Sequence, residues 1–547
     1  MNLTTSTIVL CGGPINYSNL PVSTYQSNAM VPVNGRPVIS WILEDLLEKH
    51  IQQVTVVIRE QDQRLRTFLQ RTYSERIDIT IAALTHDGTI IESLATGLAS
   101  SPSSGNVRVL LGDTLIRDPY DMTEDMVYVS EVEDSRRWCL ALLDDDGHVL
   151  DYADKQELAI EPKLALAGYY HFVDGAYLRT CIEQSISGGE KQLSDVLRRY
   201  GIQHPIHARR VAAWYDFGNI DHLVTARRLL LRPRHFNSLH IDPILNTITK
   251  VSKNDAKLRD ELDWYLMLPD ELKVLTPRIV THHIRDNQLH IVQEYYGYPT
   301  LAELYVYGNL HVDNWASILK HVFRIHDIFR QYQGQLRSDE VTTIYLDKTW
   351  ERLHVLRNQS GFWQRLLDAE TVTYNHRTLQ NIPILHQAIC ERAEALALTT
   401  QPCIIHGDFC FSNILFDISN QIIRLIDPRG SFGSKGLYGD PRYDIAKLRH
   451  SICGLYDYIV ADIFTIHEDQ GTFEGEVYDA ENGHLIQALF DALVVSMGYN
   501  LDEIRFIEGL LFISMVPLHS DYPKRQLIMY MTGLTLLNDT LTHAHLD

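Results

Sequence analysis

Two hydrophobic periods alternate along this chain, and the places where one gives way to the other mark its parts. Near the amino terminus a short apolar run, STIVLCGG (Ser6 to Gly13), ends in two glycines. MVPVNGRPVISWILEDLLEKHIQQVTVVI (Met30 to Ile58) then passes from a loop to a helical stripe to a second apolar run. Strand, glycine turn, loop, helix and strand in that order predict an α/β unit with a doubly wound sheet, whose ligands gather at the carboxyl ends of its strands. Further on, ILNTITKVS (Ile244 to Ser252) alternates with the period of a strand, and Leu258, Leu262, Tyr265 and Leu266 in KLRDELDWYLMLP form a helical stripe. Residues 310 to 400 and 445 to 547 read mostly as helix. Between them, apolar strand-like runs flank a polar loop in CIIHGDFCFSNILFDISNQIIRLIDPRG (Cys403 to Gly430).

Length adds that 547 residues exceed a single core, the usual domain size suggesting about three or four units. Hydrophobic content of 45% with mixed charge, and no low-complexity tract, predicts a chain folded throughout. No apolar run is long enough to cross a bilayer, and MNLTTSTIVLCGG lacks a basic leader, so a cytoplasmic location is expected. The seven cysteines are scattered without a C-x-x-C pair, which predicts reduced thiols and neither a zinc site nor a disulfide framework. With 49 Lys and Arg against 70 Asp and Glu, the formal charge of −21 argues against nucleic acid or an anionic membrane surface as the principal partner. Small molecules and nucleotides are the partners expected, and the assembly state is not legible.

The chemistry is densest in Cys403 to Gly430. His406, Asp408 and Asn413 stand in an H-x-D-x-x-x-x-N frame, and Asp427 follows the apolar run Ile422 to Ile426. Phosphoryl transfer needs a carboxylate near the attacking hydroxyl, and an amide oxygen and a second carboxylate to hold Mg²⁺ on the nucleotide phosphates. Asp408 suits the first role; Asn413 and Asp427 suit the others. Upstream, Lys250 near the end of its strand and Glu261 on the following helix suit an ion pair that fixes an ammonium on the α- and β-phosphates, with Lys253 a rival to Lys250.

These segments resemble the aminoglycoside phosphotransferase and choline kinase family, small-molecule relatives of the protein kinases. HGD at Asp408, DPR at Asp427 and the lack of an A-P-E motif favour a small-molecule acceptor. The resemblance implies that ATP is the phosphoryl donor and that Asp444, in GDPRYDIAKL, braces the catalytic loop. It also implies that the backbone around Glu294 to Tyr296 forms a hinge at the adenine edge, and that the glycine-free FNSLHID (Phe236 to Asp242) sits where a phosphate-covering loop would be. The helical lobe would bind the acceptor.

The amino-terminal half resembles the sugar-phosphate nucleotidylyltransferases over residues 6 to 230. The resemblance is carried by VLCGG, MVPVNGRPVISWIL, VLLGDTLI and AAWYDFGNIDHLVTARR. It implies that Asp113 and Asp216 hold Mg²⁺ against the phosphates of a nucleoside triphosphate, that Gly12 and Gly13 open the phosphate loop, and that Gly88, in HDGTIIESLATGL, lets the base approach the backbone. Gly168, in LALAGYYHF, would admit the sugar, Lys155 would contact a phosphate, and GEKQLSDVLRRY would form a short helix. The chain departs from that family at Tyr17 and Asn28, which stand where an arginine and a lysine are normal. Either Arg36 or Lys155 substitutes and the half is a transferase, or it binds nucleotide and regulates.

The fold expected is thus a doubly wound mixed-sheet nucleotidyltransferase domain, 1–232, followed by a two-lobed kinase-like α+β domain, 233–547, with a small lobe to about 300. The function expected is bifunctional: ATP- and Mg²⁺-dependent phosphorylation of a small hydroxyl compound, then nucleotidyl transfer to that phosphate, giving an activated sugar for surface polysaccharide. An amino-alcohol kinase joined to a cytidylyltransferase, or a kinase joined to a non-catalytic sensor, are the alternatives.

Overall fold

The computed structural model of the chain describes residues 5–13, 27–86, 88–101, 105–120, 123–218, 220–230, 237–308, 310–480 and 482–541. The chain divides into two compact units, residues 1–230 with 307–309, and residues 231–306 with 310–547.

In the first unit Ser6–Leu10 lies between Gln53–Arg59 and Val107–Leu111, parallel to both, and Asp78–Leu84 extends the parallel side. Adjacent residues of a strand face opposite sides of the sheet, yet Ile8 and Val9 are both fully buried, so helices cover both faces. That is why these strands are continuous runs of Val, Ile and Leu. On the other side the sheet turns antiparallel: Leu164–Phe172 pairs with Val107–Leu111 and with Met126–Glu131, so the sheet is mixed. The helix Ile90–Ala99 starts at a capping box in which Thr89 and Glu92 satisfy each other's amides. Beyond the sheet, Trp214–Asp216 pairs antiparallel with Thr114–Ile116, with Asp216 opposite Thr114. That register sets Asp216 beside the turn that carries Asp113.

The second unit begins with an antiparallel four-stranded sheet in the order Asn237–Asp242, Thr247–Ser252, Gln288–Glu294, Ile279–Arg285. Leu258 and Leu262 of the helix Asp255–Met267 pack against Leu289 and Ile291. Here the structure corrects the sequence reading, because Asn237–Asp242 is a strand and not a phosphate-covering loop. The Asp242 carboxylate accepts the amides of Ile244 and Leu245, and Asn246 adopts positive φ, so the polar residues close a hairpin.

The large lobe is mostly helical, its longest helices being Val312–Arg330, Ile382–Thr399 and Pro523–Leu541. Inside the stretches expected to be helical lies a second sheet, Arg377–Gln380, Thr371–Tyr374, Thr472–Val477 and Phe464–Asp469. Its hairpins turn at Asn375 and His376, and at Gln470 and Gly471, all with positive φ, the backbone that tight two-residue hairpins require. No helix among the described residues is long and apolar enough to cross a membrane.

Candidate active sites

The loop of the second unit is built on a backbone that turns twice through the left-handed region. Gly407 has φ of +76° and packs against Arg429, and Gly430 has φ of +67° within contact of the Asp260 carbonyl, so neither tolerates a side chain. Asp427 shares that conformation at φ of +57°, which an Asp accepts more readily than a branched residue. Asp444, fully buried near the start of the helix Pro441–Ile452, accepts the amides of His406 at 2.7 Å and Gly407 at 2.9 Å, so it holds the loop from beneath. Burial pushes the Asp444 carboxyl up to about 7, against the pull of those amides. Burial likewise pushes the His406 imidazole down to about 4, so it packs as a neutral ring, edge-on to Trp264.

Lys250 stands at the centre of the charged groups. Its Nζ donates to both oxygens of Glu261, at 2.8 and 2.7 Å, and to Asp427 Oδ1 at 2.8 Å. Burial lowers the affinity of this ammonium for its proton, but Asp427 and Glu261 outweigh that and hold it charged. Burial pushes the Glu261 carboxyl up to about 7. The rival Lys253 lies beyond the strand end and is exposed. Trp264, one turn on from Glu261, donates its indole N–H to the Ile405 carbonyl at 2.9 Å, tying this helix to the catalytic loop.

Asp408 lies at the other end of the loop. Asn413 Nδ2 donates to its carbonyl and to its Oδ2, both at 2.9 Å, while Lys447 Nζ sits 2.8 Å from its Oδ1. Burial would raise Asp408, yet the Lys447 ammonium prevails and keeps the carboxyl well below the usual range. Asn413 Oδ1 is buried with no hydrogen-bond partner. An amide whose nitrogen is committed and whose oxygen is not, with the carboxylate of Asp427 in the same site, is a donor set that fits a hard divalent cation. Glu294 and Tyr296 meet each other, the Tyr296 hydroxyl donating to Glu294 Oε2 at 2.9 Å, and Tyr295 is fixed by Asn246 at both its backbone N–H and its carbonyl.

In the first unit a cavity of about 270 Å³ is lined by Gly12, Gly13, Asn28, Gly88 and Asp113, among others. Asp113 and Asp216 converge on Gly218, whose Cβ position would lie 3.0 Å from Asp113 Oδ2 and 3.2 Å from Asp216 Oδ1. Burial, and then Asp216, push Asp113 up to about 6. Two carboxylates converging so closely fit a divalent cation between them. His222 Nδ1 lies 2.8 Å from Asp216 Oδ2, and its ring stacks on Trp138. Asn28 Nδ2 is 3.4 Å from Asp113 Oδ2, so the residue standing in the lysine's place faces the Asp113 carboxylate. Lys155 is exposed and is not among the residues lining the cavity; its amide bonds the Trp138 carbonyl. Arg36 is exposed, its guanidinium 5.7 Å from the Trp41 ring centroid. Gly168 has φ of +78° and packs on Thr114. Tyr17 lies outside the described residues.

Sequence reasoning missed Lys447, three residues after Asp444, as well as His222. It also missed Lys348, Arg352 and Arg429, which gather near Asp408. The available signal for Lys447 was its place one helical turn from the bracing aspartate.

Each unit gathers its own cluster of buried charged groups, and this is a two-part chain of enzyme-family domains. Residues 7–232 belong to the nucleotidyl transferase family and residues 245–471 to the phosphotransferase enzyme family. The low-salt glycan biosynthesis nucleotidyltransferase Agl11 of Haloferax volcanii is 24% identical over 41% of this chain and 66% of its own length. The UTP–glucose-1-phosphate uridylyltransferase AglF of the same organism is 25% identical over 36% of this chain and 83% of its own. The chain thus spans just under two thirds of Agl11. A solved UDP-glucose pyrophosphorylase is 17% identical, covering 41% of this chain and 97% of that one with a TM-score of 0.36.

Proposed function

We propose that the protein is bifunctional. Its carboxyl-terminal unit transfers the γ-phosphoryl group of ATP to a hydroxyl of a small sugar-like acceptor, and its amino-terminal unit joins a nucleotidyl group to the resulting sugar phosphate. In the first step the acceptor oxygen bonds to the γ-phosphorus as the bond to ADP breaks. Asp408, ionised and aimed by Lys447 and Asn413, orients the hydroxyl and takes its proton late, as suits a loose transition state. Lys250, held by Glu261, positions the phosphates. Asn413 and Asp427 would hold Mg²⁺, which supplies charge neutralisation on the phosphates when bound. In the second step the sugar phosphate oxygen attacks the α-phosphorus of a nucleoside triphosphate and pyrophosphate leaves, and Asp113 and Asp216 would hold a divalent cation that neutralises phosphate charge. The single observation that carries the kinase reading is the Lys250 ammonium bridged to Glu261 and Asp427.

The sugar reading is supported by the names of the relatives, a glycan nucleotidyltransferase and a uridylyltransferase for glucose 1-phosphate. The glycan in the name of Agl11 is what supports a role in surface polysaccharide. One observation favours the second reading, a nucleotide-binding sensor: no Lys or Arg is among the described residues lining the amino-terminal cavity. Asp408→Asn tests the kinase step. ADP formation should fall by about 10²–10⁴-fold with the fold intact, and undiminished turnover would refute the assignment.

A further inference from the structure

Around Asp408 the large lobe concentrates positive charge that the phosphate-positioning group does not use. Lys348 and Arg352 stand four residues apart on the helix Lys348–Arg357, and so on one face of it. Arg429 is fixed to the catalytic loop by its amide, which donates to the His406 carbonyl at 2.9 Å. Arg429 Nη1 and Lys348 Nζ converge on a single oxygen, the hydroxyl of the buried Tyr443, at 3.0 and 3.3 Å. Arg352 is held by the Ser514 carbonyl at 2.9 Å.

None of these three cations forms an ion pair among the described residues, in a chain where acidic residues outnumber basic ones by 70 to 49. Asp408, the carboxylate that faces Lys348, is taken by Lys447. Burial, then Arg429, Arg352 and Lys447, hold the Lys348 ammonium well below its ordinary affinity for a proton. Arg352 is lowered by burial and by Arg429 as well. Half-buried like charges that repel one another are costly unless something anionic completes them.

We infer that the acceptor of the kinase site is itself an anion, a hydroxyl compound that also carries a carboxylate or a phosphate, held by Lys348, Arg352 and Arg429 while its hydroxyl faces Asp408. This rests on the kinase reading for the word acceptor, though the anion site does not. It disfavours an amino-alcohol, whose ammonium would meet three cations.

The test uses the full chain saturated with Mg²⁺ and the non-hydrolysable triphosphate AMP-PCP, so that the γ-phosphate position is filled, and titrates inorganic phosphate and malonate by calorimetry. Saturable binding of at least one probe is expected in the wild type. It should weaken by at least about tenfold in Lys348→Met with Arg352→Met, while affinity for AMP-PCP changes less than about twofold. The charge-preserving pair Lys348→Arg and Arg352→Lys should keep binding within a few-fold, separating lost charge from lost fold. The proposal is overturned if neither probe binds saturably, if the double Met variant binds as well as the wild type, or if phosphate binds with ADP but not with AMP-PCP. That last result would assign the cations to the transferred phosphoryl group. In turnover, glucuronate and glucose 6-phosphate should exceed glucose and glucosamine in kcat/KM for ADP formation, the two anions telling carboxylate from phosphate. A preference for glucosamine would overturn the proposal. If the probes bind while Asp408→Asn leaves ADP formation undiminished, the kinase assignment fails and the anion site stands.

Discussion

Lys447 and Asp444 sit one helical turn apart and act on the catalytic loop in different ways. Lys447, 2.8 Å from Asp408, is the main force holding that carboxyl ionised against burial. Lys447→Met should therefore let burial prevail and raise the Asp408 carboxyl. An acid limb absent from the wild-type profile of ADP formation against pH should appear, and an unchanged profile would show that Lys447 does not govern Asp408. Asp444 gives one oxygen to each of two amides, and asparagine has only one acceptor oxygen. Asp444→Asn should cost about 1–3 kcal/mol, read from the denaturation of the full chain. Because its folded carboxyl lies near 7 rather than the ordinary 3.8, it binds its proton more tightly when folded. Its contribution to stability is thus full below that ordinary value and is lost as pH rises through about 7, so stability should fall less steeply with pH in the variant than in the wild type, where Glu261 and Asp113 add slopes of the same sign. The pairing of Lys250 with Glu261 was legible because polar residues between apolar runs have few places to go, and the contact of Asp444 with the loop came from the resemblance. Lys447, Lys348 and Arg352 were not, because their meaning depends on how helices rotate toward a loop distant in sequence.

At the scale of elements, the small-lobe helix Asp255–Met267 and the catalytic loop are joined by Trp264 and by the close approach of Gly430 to Asp260. A methyl group at Gly430 would meet both an unfavourable backbone angle and the Asp260 carbonyl. Gly430→Ala should destabilise the protein by at least about 2 kcal/mol and depress ADP formation. At Gly361, where the Cβ position meets only Arg365 Nη1 at 3.4 Å, alanine should be neutral or slightly stabilising by denaturation. The alternation of strands and helices in the first unit was legible from its apolar runs. The strand Asn237–Asp242 and the strands Thr371–Tyr374 and Arg377–Gln380 of the large lobe were not, since their hairpins turn at Asn246 and at Asn375 and His376 rather than at the glycines that usually announce them.

For the whole molecule, each site is assembled within its own unit, so the two chemistries should be separable by mutation. Asp113→Asn with Asp216→Asn should abolish pyrophosphate release and leave ADP formation within about twofold, whereas Asp408→Asn should do the reverse when a sugar phosphate is supplied. Two domains from two enzyme families were legible from motif order; the acceptor was not, because the sequence of the helical lobe carries packing more strongly than chemistry. The central claim is that one chain performs both steps. Phosphorus NMR of the full chain with Mg²⁺, ATP, a second nucleoside triphosphate and glucuronate or another acidic sugar follows both at once. The account predicts ADP and a sugar phosphate first, then pyrophosphate and a sugar nucleotide; ADP accumulating with every nucleoside triphosphate and no pyrophosphate would contradict it.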